Sequence, residues 1–392
     1  MNSPTYTILI HYSEIALKKN NRSFFENIFI KNIKSHLVGL PYSSITLEAA
    51  RVLIHKIDKK KWPEYKNRIF NIMGLKNAIL TIQTNTTMES FKNATDEIIK
   101  NVDFVNFRIT TKRHEKNLDF DSQDVNIGIG EYVQNKTNKP VNLTSPDCNI
   151  IIEILKNKSF IGIYKIEGYS GLPANCQEKA ISLISSGIDS PVASFEMIKR
   201  GVNVDYVHFH SFPAVNKQSI DNVKKILKVL SKYQLKTTLY MVPLLEIQQE
   251  IMSNIEDKYW VIFFRRYMIK IANDLASQLK ASALITGESV GQVASQTLSN
   301  IRAVSQESEL PILRPLAGTN KEDIVNRAKK IGTYDISIEP YEDCCSYFVP
   351  PHPETKAKMD KVKKISDNLI INDIYSKTMQ NIEKIEIEYT GE

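Results

Sequence analysis

From Lys179 to Gly287, apolar runs of strand length alternate with longer stretches of helical periodicity, and this restricts the fold more than any other feature of the 392-residue chain. KAISLIS reads as a buried strand, SPVASFEMIKRG as a helix and VNVDYVHFH as a strand. Residues 217–233 read as a helix, TTLYMVPL as a strand, residues 247–280 as one long helix and SALITG as a strand. Strands joined by helices return parallel, and continuous apolar runs suit strands covered on both faces. The βαβαβαβ order therefore predicts a doubly wound parallel sheet, whose ligands sit at the carboxyl ends of the strands.

The first of those strands ends in Leu183-Ile184-Ser185-Ser186-Gly187-Ile188-Asp189-Ser190, directly before a helix. Small residues let backbone N–H groups approach phosphate oxygens, and the helix start adds its positive dipole end. Ser185 and Ser190 offer hydroxyls, and Asp189 could orient magnesium or cap the helix. The plain alternative is a tight turn with Asp189 or Ser190 as N-cap. No GxxxxGK[ST] run exists, so a nucleotide site here is of another type. Three more segments fall at strand ends or beside them. His208-Phe209 offers an aromatic face for adenine. Thr286-Gly287-Glu288 precedes SVGQVASQTLSN, which reads as a helix with Gln292, Ser295 and Gln296 on one face. Arg265 and Arg266 lie on the long helix, and one could reach phosphate. Each has a structural alternative: core residues, solvated helix positions and a surface ion pair.

The segment before residue 179 reads as α+β. TYTILIHYS is a strand, residues 21–40 a helix, and residues 43–56, with RVLIHKI, further strand material. MESFKNATDEIIKNV is an amphipathic helix, FRITTKR a strand and DSQDVNIGIGEYVQNK a helix. VNLTSPDCNIIIEIL and SFIGIYKI are two strands with antiparallel pairing. Expected boundaries are 1–60, 61–167, a linker at 168–178 with Gly171 and Pro173, and 179–392. The net charge of +7 suits a polyanionic partner such as RNA, or a lysine-rich surface. No apolar run approaches the ~18 residues of a membrane span, and no leader pattern is seen, so a cytoplasmic location is expected.

Four cysteines are too few to staple a secreted scaffold, and no CxxC pair suggests structural zinc. Cys344 and Cys345 are adjacent, after EPYED and before SYFVPPHPETK, whose prolines argue for a surface loop. A thiol there could carry a persulfide; two small hydrophobes under a loop is the alternative. Glu342 and Asp343 would raise a neighbouring thiol pKa.

Residues 185–190 resemble the PP-loop, SGGxDS, of ATP pyrophosphatases, with Ser186 in place of the first glycine. The blocks GLP, LISSGIDSPVA, MIKRGV, TGESVGQVASQTL, LRPLAGTNKEDI and AKKIGTYDISIEPYEDCC, in that order, resemble the ThiI family of tRNA 4-thiouridine synthases, end to end. SEIALKKNNRSFFENIF resembles its ferredoxin-like segment. FRITTKRHEKNLDF with VNLTSPDCNIIIEI resembles a THUMP domain. The resemblance implies a ferredoxin-like unit, a THUMP domain and a doubly wound PP-loop domain. It implies ATP contacts at Leu183, Ile184, His208, Phe209, Arg265, Gly287 and Gln296, beside the loop residues Ser185, Ser186, Gly187, Ile188, Asp189 and Ser190. Lys321, in a first turn capped by Thr319 or Asn320, is assigned to the α-phosphate; Asn320 stands where aspartate is common. Either Cys344 or Cys345 is the sulfur carrier, with Cys344 favoured. Lys18, Lys19, Arg22, Arg108, Lys112, Arg113 and Lys116 are candidates for RNA phosphates.

The activity so implied uses Mg2+ and ATP to adenylate O4 of uridine 8 in tRNA, and a persulfide then displaces AMP. About 40 residues follow the cysteines, too few for the rhodanese domain of many members, so thiazole sulfur transfer is not expected. A cysteine desulfurase is the expected donor and a homodimer an open expectation. The rivals are another PP-loop thiolase or amidating ligase, a THUMP methyltransferase, for which no glycine loop is present, and a tRNA-binding protein that has lost catalysis.

Overall fold

The strand Leu75–Thr84, absent from the sequence expectations, is the centre of the N-terminal sheet. The computed structural model describes residues 4–156, 158–340, 348 and 350–391. The chain divides into two units, Met1–Pro173 and Ala174–Glu392. In the first, β1 (Tyr6–Tyr12), α1 (Arg22–His36), β2 (Ser44–Glu48) and β3 (Arg51–His55) follow the expected order. Then come α2 (Trp62–Phe70), β4 (Leu75–Thr84), α3 (Met88–Ile99), β5 (Phe107–Arg113), α4 (Ser122–Thr137), β6 (Cys148–Leu155) and β7 (Lys158–Glu167).

All seven strands form one sheet in the order β2-β3-β1-β4-β7-β6-β5. β4 pairs antiparallel with β1 on one side and β7 on the other, so the sheet is continuous through residue 60. Both faces of β4 are covered, and only Lys76 among its first eight residues is exposed, so the alternation that marks a half-buried strand is missing. β6 and β7 pair antiparallel as expected, while β5 runs parallel to β6. The segment VNLTSPD is loop rather than strand. Asn142 folds it, its side-chain oxygen accepting from the N–H of Thr144 (3.1 Å) and Ser145 (3.0 Å).

The second unit holds β8 (Lys179–Leu183), α5 (Asp189–Lys199), β9 (Asn203–His210), α6 (Gln218–Gln234), β10 (Lys236–Pro243), α7 (Leu245–Asn254), α8 (Trp260–Gln278) and β11 (Ala283–Ile285). After these come α9 (Leu298–Ser305), β12 (Ile312–Leu313), α10 (Lys321–Ile331), α11 (Tyr334–Ser337), α12 (Met359–Asn368), α13 (Asn372–Gln380) and β13 (Glu383–Glu388). The sheet order is β12-β11-β8-β9-β10-β13, parallel throughout except for β13, an antiparallel edge strand outside the sequence expectations. The order turns back after β10 to place β11 on the other side of β8, which creates the crevice expected of such sheets. The helix expected over 247–280 is two. Ile255 is extended (φ −125°, ψ 144°), a short 3-10 turn follows, and the Trp260 indole donates to the Ile255 carbonyl at 2.9 Å. The periodicity survives the break because α7 and α8 both pack into one core.

One charged cluster is buried in the first unit. Glu153 of β6 is 1% exposed and pairs with His11 of β1 at 2.7 Å and Arg51 of β3 at 3.0 Å. The Arg51 guanidinium also meets His114, and the other ring nitrogen of His11 bonds Asn77 of β4 at 2.7 Å. Burial alone would push the Glu153 carboxyl up, but His11 and then Arg51 outweigh it and hold it at about 2. A depressed carboxyl stabilises the fold above its unfolded pKa, and that contribution fades as pH falls toward the folded value. From an ordinary carboxyl value of 4.5 down to about 2, the difference is worth about 3 kcal/mol at neutral pH. Trp62 in α2 reports on this unit once Trp260 is replaced by Phe. In that background, Glu153→Gln should lower the urea midpoint at pH 7, and its deficit should shrink between about pH 4.5 and 2. A deficit independent of pH would contradict the assignment.

Candidate active site

β8 is buried at its three central residues and ends at Leu183, after which residues 184–188 turn into α5. The turn is braced by its own hydroxyls. Ser185 N–H donates to Ser190 Oγ (2.9 Å), the two hydroxyls lie 3.1 Å apart, and Gly187 N–H donates to Ser185 Oγ (3.3 Å). Ser337 of α11 reaches the Gly187 carbonyl at 3.3 Å. The N-cap of α5 is Ile188, with no side-chain cap bond, so neither Asp189 nor Ser190 fills the capping role. The positive end of the helix dipole is left open to an anion. Ser186 is fully buried with φ outside the left-handed range, so serine in place of glycine brings no backbone strain there. Its Oγ has no hydrogen-bond partner among the described residues.

Two elements converge on this turn. Gly287, just past β11, lies so close to α5 that a Cβ would come 2.7 Å from Ser190 N, 2.8 Å from Ser190 Cα and 2.9 Å from Asp189 C. Only glycine allows that approach without moving backbone. From the other side, Asn320 caps α10, accepting from Asp323 N–H at 2.9 Å, and Lys321 follows as its first residue. The Lys321 ammonium meets Asp189 Oδ1 at 2.5 Å, and the Gln292 amide donates to Oδ2 at 3.0 Å. The Lys321 side chain is 47% exposed, so the pair adds little stability, but it fixes a cation and a carboxylate at the mouth of the turn.

His208 and Phe209 of β9 are buried, 2% and 5% exposed, rather than presented as an open stacking face. His208 Nδ1 lies 2.9 Å from the Ile184 carbonyl. A carbonyl only accepts, so the proton is on Nδ1 and Nε2 carries a lone pair, unpartnered among the described residues. Burial holds this imidazole at about 4, hence neutral at neutral pH. SVGQVASQTLSN is not one helix. A turn with Gly291 at φ 77° and a short 3-10 segment, Ala294–Gln296, precede α9, so Gln292, Ser295 and Gln296 do not share a helical face. The Thr297 hydroxyl, accepting from Asn300 N–H (3.3 Å), starts α9 there. Arg265 pairs with Glu288 and donates to the Ser295 carbonyl at 3.0 Å; Arg266 is taken by Glu307 and the Ala303 carbonyl. The sequence reading singles out neither Glu288 as a site residue nor Arg314. The available signal was a charged residue shortly after a strand, Glu288 three positions past β11 and Arg314 one past β12.

In the first unit, Lys18 lies 4.9 Å over the Phe25 ring, Arg22 is held by Glu26 and Tyr12, Arg108 by the Leu143 carbonyl and Arg113 by the Phe120 carbonyl. Lys19, Lys112 and Lys116 are exposed. Cys344 and Cys345 lie outside the described residues. Among the described residues, no three His, Cys, Asp or Glu side chains group as metal ligands, and no helix is long and apolar enough to cross a membrane. Asp189 is the carboxylate at the mouth of the turn, a fit for magnesium that keeps waters and phosphate oxygens as its other ligands. Gly287→Ala should weaken binding of pyrophosphate at the turn by about tenfold or more while shifting the melting temperature by only a few degrees. Unchanged pyrophosphate affinity, read by equilibrium titration, would show that the approach of β11 to α5 is irrelevant to the turn.

A family profile described as thiamine biosynthesis protein (ThiI) matches residues 175–371, a THUMP domain profile matches 85–164 and a ThiI ferredoxin-like domain profile matches 7–78. A probable tRNA sulfurtransferase of Caldanaerobacter subterraneus subsp. tengcongensis is 40% identical over 386 residues, covering 97% of this chain and 99% of that one. One of Thermus thermophilus is 34% identical over 382 residues, covering 97% and 93%. A crystal structure of a 4-thiouridine synthetase–RNA complex with bound ATP superposes with TM-score 0.88 at 31% identity, covering 98% and 100%. The structure of PH1313 from Pyrococcus horikoshii, at 21% identity and TM-score 0.63 over 83% of this chain and 99% of that one, shares the fold. Together with the open turn at the start of α5, this full-length agreement makes the chain a member of the ThiI family, with a ferredoxin-like domain, a THUMP domain and a PP-loop domain.

Proposed function

We propose that this chain is an ATP-dependent tRNA sulfurtransferase that converts a uridine, at position 8, to 4-thiouridine. The observation that carries this reading is the uncapped start of α5 with Asp189 and Lys321 facing each other across it. The names of the full-length relatives and of the RNA- and ATP-bound neighbour support the reaction class.

The phosphates of ATP lie against the Ser185–Ser190 turn, where backbone N–H groups and the helix dipole favour negative charge. Leu183, Ile184, His208, Phe209, Arg265, Gly287 and Gln296 surround the nucleotide. The neutral Nε2 of His208 accepts from a donor on it. Asp189 is the residue that would hold Mg2+, and bound magnesium neutralises phosphate charge. The uracil O4 attacks the α-phosphorus, an O–P bond forms, the α–β anhydride breaks and pyrophosphate leaves. Lys321, released from Asp189, stabilises the charge that develops on the α-phosphate. The terminal sulfur of a persulfide on Cys344 or Cys345 then attacks C4, AMP departs with the original oxygen, and a C4–S–S–Cys linkage remains. A second thiolate attacks the cysteine sulfur, the S–S bond breaks, 4-thiouridine is released, and the disulfide so formed is reduced by an external thiol. Lys18, Lys19, Arg22, Arg108, Lys112, Arg113 and Lys116 bear on RNA phosphates, which gives salt-dependent affinity rather than sequence reading. A cysteine desulfurase as persulfide donor, a homodimer and a cytoplasmic location belong to the same reading.

Asp189→Ala and Lys321→Met should each cut tRNA-dependent AMP release by about a hundredfold or more and leave the tRNA Kd unchanged. Normal AMP release by either variant refutes the assignment, and a wild type that binds tRNA without releasing AMP supports a non-catalytic binder. Changing both Cys344 and Cys345 to Ser should abolish thiouridine and preserve AMP release. Thiouridine persisting in nucleoside mass spectra of that variant would rule out the cysteine pair.

A further inference from the structure

Glu288 sits one residue past Gly287 and is 4% exposed, yet its carboxylate takes up three side chains, two of them from distant parts of the chain. Arg265 of α8 pairs with Oε1. Arg314, just after β12, donates from Nε to Oε2 at 2.5 Å, and the Thr286 hydroxyl donates to the same oxygen at 2.9 Å. Both guanidinium groups are secured elsewhere as well. Arg314 donates to Ser305 Oγ at 2.7 Å and to the Ile312 carbonyl at 3.4 Å, and Arg265 donates to the Ser295 carbonyl at 3.0 Å. The side chains are 18% and 17% exposed for the arginines and 5% for the glutamate.

Such a cluster is a poor device for stability. Desolvating three charges costs more than apolar packing of equal volume, and buried ion pairs replaced by hydrophobic residues often lose nothing. What the cluster supplies is direction and sign. Two cations share one carboxylate, which leaves one positive charge over. That surplus lies one residue from Gly287, which is itself packed on the first residues of α5. Burial pushes the Glu288 carboxyl up, but Arg265 and Arg314 outweigh it and keep it ionised below its ordinary value.

We propose that Glu288 is a positioning residue for the nucleotide: it fixes the Arg265 guanidinium, and through it the Ser295 turn, so that the surplus positive charge faces the polyphosphate. The proposal rests on the ATP reading given above. The turn that Arg265 holds carries two other groups of the site. Gly291 N–H closes it onto the Gln296 carbonyl at 3.0 Å, Gln292 reaches Asp189 at 3.0 Å, and Gln296 Oε1 is buried without a hydrogen-bond partner among the described residues. A polar path therefore runs from Arg314 through Glu288, Arg265 and the turn to Asp189 and Lys321. Arranged before ATP arrives, these groups need no reorganisation when it binds.

A double-mutant cycle in the full chain tests this, using Glu288→Gln and Arg265→Met, with ATP affinity by equilibrium titration and tRNA affinity and melting temperature alongside. Glu288→Gln should weaken ATP by about tenfold or more and raise the KM for ATP while leaving that for tRNA unchanged. Added to Arg265→Met, it should cost less than about twofold more, because residues acting as a unit are not additive. Full ATP affinity in Glu288→Gln, or losses that multiply in the double variant, overturns the proposal. So does a parallel fall in ATP affinity, tRNA affinity and melting temperature, the pattern of a structural role. Should Glu288→Gln fail to fold, Glu288→Asp keeps the charge balance but shortens the reach. The same loss is expected, and wild-type ATP affinity in it overturns the proposal. A wild-type protein that binds no ATP sinks the functional reading instead, so the two failures are distinguishable.

Discussion

The site depends on a contact made by backbone alone. Gly287, two residues past the end of β11, lies against the first residues of α5, and any Cβ there would displace the chain at Asp189 and Ser190. Because β11 and β8 are parallel neighbours, their carboxyl ends meet the start of α5 together. That places an uncapped helix dipole, a carboxylate and the Glu288 cluster within a few residues of one another. The sheet order, with β11 returning beside β8 rather than beyond β10, is what brings them there.

Charge in this region is arranged rather than merely abundant. Lys321 opens α10, where its cation opposes the dipole, and it is answered by Asp189 across the turn. Arg265 and Arg314 share Glu288, leaving a surplus of one positive charge. In the proposed reaction a polyphosphate meets partners already placed, and the Asp189–Lys321 pair separates as Lys321 turns to the α-phosphate. Glu153 plays a different part in the first unit, joining β1, β3 and β6 through His11 and Arg51.

The parallel sheet was legible because its strands are continuous apolar runs separated by helices of regular period. β4 was not, because Lys76 and Asn77 interrupt its apolar run near the start and it shows no alternation, although Gly74 at φ 91° precedes it. The break between α7 and α8 was hidden by a periodicity that continues through it, since both helices face one core. In the site, Asp189 and Lys321 could be named from the sequence, but their 2.5 Å pairing could not. The segment after Glu288 looked helical from its small and polar residues. Gly291 at positive φ and the Thr297 cap instead delay the helix to Leu298. Glu288 and Arg314 escaped notice because a buried ion cluster depends on partners 23 and 26 residues apart in sequence.

In the proposed reaction a nucleobase oxygen becomes a leaving group by joining the α-phosphate of ATP held at the Ser185–Ser190 turn. The most direct measurement uses tRNA labelled with 18O only at O4 of uridine 8, incubated with the protein, ATP and a persulfide donor, and follows the label by mass spectrometry. One 18O atom is expected in AMP for each 4-thiouridine formed. AMP without label, its new oxygen drawn from solvent while thiouridine accumulates, would contradict it.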